Sequence, residues 1–157
     1  MSTNGLSKEE ANDFMALEPR LVELVRAAVA GMTPAVHVLT AADLADVLES
    51  QQKTPAVHVI YGGYQITEDR GTSWMLEHTW YAVAAVRNVA AVRTGKAARR
   101  DAGVLAARVM RALAGASVLG ATKTLKLVSP PAAHYQSGFQ YLPSAVLAET
   151  VFHKFIE

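Results

Sequence analysis

The residues of this chain best suited to acid–base or metal chemistry are five histidines: His37, His58, His78, His134 and His153. An imidazole titrates near neutrality and binds transition metals, but it needs a partner: a second ligand, an orienting carboxylate, or a nucleophile to activate. The sequence supplies none. There is no H-E-x-x-H, no Asp or Glu at a metal-ligand spacing, and no G-x-S-x-G elbow, Walker loop or G-x-G-x-x-G. The absence of cysteine excludes disulfides, thiolate zinc sites and thiol catalysis. His37, His58, His78 and His153 fall in strand-like runs, where they read as satisfied or half-exposed sheet histidines. The sequence gives no reason to propose an enzyme, a metal or a cofactor.

The other chemical signal is charge. Nine of the fifteen Lys and Arg residues lie between Arg87 and Lys126, where Asp101 is the only carboxylate; elsewhere thirteen acids face six cations. A nearly neutral protein with one basic side attracts an oppositely charged polymer or an acidic surface on another subunit. The nine cations include Arg87, Arg93, Lys96, Arg99, Arg100, Arg108 and Arg111, the candidate polyanion-facing set. That segment contains no aromatic residue, which argues against base stacking and leaves contact with duplex phosphates or an acidic protein. Charged residues make up 18% of the chain, below the roughly 25% usual for soluble domains, as expected of surface that other subunits cover.

These residues must be positioned by the elements around them. With 157 residues, 51% of them hydrophobic, the chain suits one domain with a real core. No apolar run approaches the roughly 20 residues that span a bilayer, and the N-terminus lacks the pattern of a signal peptide, so a protein made and kept in the cytosol is expected. Ser7-Lys-Glu-Glu10 has capping-box spacing, and Pro19 opens a helix with an apolar stripe of Leu21, Val22, Val25 and Val29 that Gly31 ends. Residues 1–18 read as an N-terminal extension to a domain of residues 19–157. Strands are expected at 35–39 and 56–61, with a short helix over 41–50 between them capped by Thr40.

Gly62-Gly63 reads as the end of the second strand, and residues 64–73 as a long hairpin loop whose Tyr64, Ile66, Arg70 and Trp74 are candidates for contact with a subunit or a partner. From Glu77 to about Val92 runs the longest strand pattern, apolar on both faces and therefore central. Residues 96–114 form an amphipathic helix that packs Ala102, Leu105, Val109 and Leu113 inward and turns its cations outward. Strands follow at 124–128, around 135–141, and at 145–155. Pro and Gly punctuation favours an α+β fold with a mostly antiparallel sheet of about four to six strands.

The order of these segments resembles the tail terminator family of Mu-like long-tailed bacteriophages. The resemblance is carried by Pro19-Arg-Leu-Val-Glu-Leu-Val25, Val38-Leu-Thr-Ala-Ala-Asp-Leu-Ala45, Thr54-Pro-Ala-Val-His-Val-Ile60 and Trp80-Tyr-Ala-Val-Ala-Ala-Val-Arg-Asn88. Ala102-Gly-Val-Leu105, Arg111-Ala-Leu-Ala-Gly115 and Tyr135-Gln-Ser-Gly138 continue it. It covers residues 19–155. One departure is Ala116-Ser117 after Gly115, where the family often has Trp. The resemblance implies a sheet with helices on one side, and a homohexameric ring at the head-proximal end of the tail tube. Its expected partners are its own copies, the tail tube protein, the head–tail connector and passing DNA, with no membrane and no catalysis. Such a ring is assembled in the host cytoplasm and ends in the virion. Two other classes fit the residues: another connector or tail completion protein, and a small cytosolic ligand-binding domain built around His58 or His78.

Overall fold

The computed structural model of the protein describes residues 5–87 and 96–156; for 96–100 it describes the backbone. The elements are α1 (Lys8–Ala11), α2 (Glu18–Val29), β1 (His37–Thr40), α3 (Ala41–Leu44), a 3-10 turn (Glu49–Gln51), β2 (Ala56–Asp69), β3 (Ser73–Arg87), α4 (Lys96–Leu113), β4 (Lys126–Val128), β5 (His134–Gln136) and β6 (Phe139–His153). The six strands form one sheet of order β1-β2-β3-β6-β4, with β5 also on β6. Only β1 and β2 pair in parallel; every other pair is antiparallel, as the α+β reading expects.

β3 is the central strand. Its ladder with β6 runs without a break from Ser73↔His153 to Arg87↔Phe139. Successive residues of a strand face opposite ways, so Trp80, Ala82, Ala84 and Val86 share one face, and α2 and α4 pack there with Leu21, Val25, Leu105 and Val109. Trp80, 1% exposed, fills the centre of that core. Pro143 sits inside β6 between the stretches paired by β5 and β4, where no neighbouring strand on that side asks for its missing N–H.

Three expectations are corrected. Residues 64–73 are not a loop: β2 continues to Asp69, β3 begins at Ser73, and the turn is only residues 70–72. The β2 half of the arm, residues 64–69, is exposed and mostly polar, which removes the apolar alternation a strand reading needs. Gly62-Gly63 forms a β-bulge within β2 instead of ending it. A Cβ at Gly62 would lie 2.5 Å from the Tyr81 ring, so the close packing there needs glycine. The helix expected over 41–50 stops at Leu44, because Ala45 is extended and Asp46 turns left-handed at φ 64°.

The N-terminal segment closes a sheet edge. The Asn12 side chain donates from Nδ2 to the His153 carbonyl at 2.9 Å and accepts from the His153 N–H at 2.7 Å. One amide thus supplies the donor and acceptor that a further strand would have offered β6. Leu6 and Leu17 are buried, and the Phe14 ring stands edge-on to Tyr64, His78 and Phe152. Asn12→Ala should lower the unfolding free energy in urea by about 1–2 kcal/mol and speed amide exchange at His153, since two part-buried hydrogen bonds at the edge lose their partner. Unchanged exchange at His153 would show that the edge is not held this way.

Candidate functional site

Among the described side chains, the cations of the basic stretch do not share one face. Arg87 ends β3 on the side of the sheet away from the helices, its guanidinium 4.8 Å from the centre of the Phe139 ring. Arg93 lies outside the described residues. Lys96, Arg99 and Arg100 occupy the first turns of α4, and their side chains lie outside the description. Arg108 is exposed but already employed: its Nε donates at 2.7 Å to the carbonyl of Ala28, joining α4 to the end of α2. Arg111 is exposed in the last turn of α4, where a cation also complements the helix dipole. Lys123 pairs with Glu149 at 3.4 Å. Between these cations α4 exposes apolar groups: Val104 is 60% and Met110 46% exposed, with Ala107 also at the surface.

The arm brings three of its four candidate contact residues together. Tyr64, Ile66 and Trp74 stand on one face around a depression of about 180 Å³ floored by Phe14, Leu76 and Phe152. Tyr64 and Ile66 are 48% and 59% exposed. Arg70, in the turn, is tied to Glu68 at 3.1 Å instead of joining them. Lys154 lies 4.4 Å from the centre of the Trp74 ring and 2.6 Å from Asp69, a hydrogen bond that holds the Asp69 carboxyl below its usual range. The tip is thus held rigid while its apolar face stays open.

The second sheet face was not legible in the sequence as a site. β3 is apolar on both faces, but among the described residues neither α2 nor α4 covers the one carrying Thr79, Tyr81 and Val83. At the Arg87 end loops shelter it: Tyr141 donates to Glu49 at 2.8 Å, and burial followed by that bond raises its pKa. Towards the arm the face opens into a depression of about 270 Å³ bounded by Ile60, Tyr81, Val83, Pro131 and Pro143. Beyond it Glu77 stands directly opposite Glu149, two like charges on neighbouring strands. The signal was the odd-numbered apolar series in 79–85, which indicates a covered face without saying what covers it.

The histidines divide between the two faces of the sheet, with His58 and His134 both against Tyr141 and His78 on the helix side. His78 lies with Nδ1 2.7 Å from Tyr61 Oη and Nε2 2.9 Å from Thr150 Oγ1, so a neutral ring is satisfied on both sides. His58 is buried on the other face, its pKa lowered by desolvation, and His134 stacks on Tyr141. Among the described residues no three His, Asp or Glu side chains come close enough to hold a metal ion.

The described surface combines an arm with an apolar depression, a sheet face without α2 or α4 over it, and exposed Arg108 and Arg111. The family model of phage tail terminator proteins matches residues 11–153. The chain belongs to the phage tail terminator family. The match covers nearly all of the sequence and extends into the segment ahead of Pro19. Membership makes the protein a structural component of a phage tail. No curated protein matches the sequence.

Burial holds His78 neutral, with its pKa lowered from 6.5 to about 4. The unfolded chain takes up this proton near pH 6.5, so between there and about pH 4 the unfolded state binds more protons and stability falls as the pH falls. The urea midpoint should therefore be lower at pH 5 than at pH 7.5. In His78→Gln the dependence should be shallower, and an undiminished slope would assign the effect to other groups.

Proposed function

We propose that the protein forms a homohexameric ring on the head-proximal end of the tail tube, stops tube polymerisation there and presents the joining surface for the head connector, with DNA passing through the lumen. The observation that carries this reading is the family match over residues 11–153. Two features support it. Subunits of a ring need surface low in charge and apolar patches that only a neighbour covers. The low overall charge fits the first need, and the apolar part of the bare sheet face fits the second.

Within the ring, Arg87, Arg93, Lys96, Arg99 and Arg100 are the cations we place towards the DNA passage. Cations beside a duplex suit backbone phosphates regardless of sequence. Arg108 and Arg111, flanked by exposed Val104 and Met110, suit a protein surface better than a hydrated phosphate track. The arm, through Tyr64, Ile66, Trp74 and the turn residue Arg70, is offered to the tube protein. Assembly takes place in the host cytoplasm before the tail enters the virion.

Adding the purified protein to growing tail tubes should cap them, and Ile66→Asp should weaken tube binding by about tenfold or more while leaving self-association intact. Wild-type binding by Ile66→Asp would remove the arm from the tube contact. Replacing Arg87, Lys96 and Arg100 together with Glu should leave capping unchanged and reduce infectivity at least about tenfold by obstructing DNA passage. Full infectivity of the triple variant would refute the lumen assignment.

A further inference from the structure

Two surfaces of the chain are left unfinished in complementary ways. The helix-free face of the sheet has half-buried Thr79, Tyr81 and Val83 next to the opposed acids Glu77 and Glu149. Lys123 offsets Glu149, whereas Glu77 has no ion-pair partner among the described residues. The outward face of α4 shows apolar Val104, Ala107 and Met110 beside Arg108 and Arg111. A sheet that lacks a helix layer on one side and a helix whose solvent face carries apolar groups are each other's missing cover.

The geometry points to a head-to-tail contact in which α4 of one copy lies across the bare sheet face of the next, completing a helix–sheet–helix sandwich between subunits. The lengths agree. From Val104 to Arg111 the helix rises roughly 10 Å at 1.5 Å per residue. From Tyr81 to Glu77 the strand covers roughly 13 Å at about 3.3 Å per residue. With Val104 over Tyr81, Arg111 therefore reaches the acid pair, and Met110 lies near the stretch between Thr79 and Glu77. The reverse direction would set the cations against Ile60 and Pro143, an apolar surface that leaves them desolvated and unpaired. Because the two surfaces differ and lie on opposite sides of the subunit, the contact is heterologous and propagates into a ring or a filament.

This inference rests on the ring reading, and it assigns to the interface two cations that were candidates for the DNA passage. The chain has no cysteine, so a pair introduced at Ala107→Cys and Thr79→Cys reports only on this contact. The two positions lie at the middle of the matched lengths on opposite sides of the sheet, which prevents a bond within one chain. Under oxidation, in solution and on capped tail tubes, the double variant should give a ladder of covalent oligomers, and neither single variant should extend beyond a dimer.

Charge exchange gives a second readout. Arg111→Glu and Glu77→Arg should each weaken self-association about tenfold or more, and their combination in one chain should recover most of the loss. No ladder in either setting, or a Thr79→Cys side chain that links to the tube protein instead of to another copy, would overturn the proposal. Additive losses in the combined variant would also overturn it. Capping of tubes by a variant that fails to form the ladder would leave the terminator reading standing and discard only this interface.

Discussion

Everything in this fold hangs on the β3–β6 ladder. Fifteen residues of β3 pair in continuous register with fifteen of β6, and β2 pairs along most of the other side of β3. Backbone hydrogen bonds of that length fix which residues face which way, because a slip of one position would turn Trp80 and its neighbours out of the core. The helices α2 and α4 cover one face over its middle only. The remaining surface, the arm at one end and the second face along the sheet, keeps its shape from the ladder and its chemistry from what no helix covers. A rigid sheet with uncovered apolar area is unstable as an isolated surface and useful as an assembly part.

The edges of the sheet are treated unequally, and that asymmetry bears on how copies meet. Along β6 the edge is closed by short β4 and β5 and by the Asn12 amide. Along the arm, β2 is interrupted by bulges at 61–64 and 66–68 and ends in Glu68 and Asp69, devices that discourage pairing with a stray strand. Contacts between copies are therefore expected through faces more than through edges. A face-to-face contact between unlike surfaces repeats in one direction, the property a closed ring requires.

Much of this was visible in the residues. Pro19 and the apolar stripe after it mark α2, Thr40 and Asp43 mark the capping box of α3, and the inward stripe Ala102, Leu105, Val109, Leu113 marks α4. These signals are local, so a sequence reading reaches them. The arm was missed because its β2 half, residues 64–69, is exposed throughout and carries no apolar period. The short reach of α3 was missed because nothing in Asp46 announces a left-handed turn. Asn12 bonds to a residue 141 positions away, and a single side chain replacing a strand leaves no pattern at all. Among the site residues, Tyr64, Ile66 and Trp74 stand on one face of the arm, which the sequence pattern places in a loop. The basic stretch was read as one patch because helical periodicity cannot show that Arg87 ends on the other side of the sheet or that Arg108 is bonded to Ala28. The bare second face follows from topology, which places both helices on the same side.

The central claim is that this protein determines where a phage tail ends. It is tested most directly by measuring tail lengths in electron micrographs of lysates made with and without it. The account predicts tails of uniform length with a ring at one end when the protein is present, and tubes of variable, excessive length lacking that ring when it is absent. Uniform tails bearing a terminal ring in its absence would contradict the account.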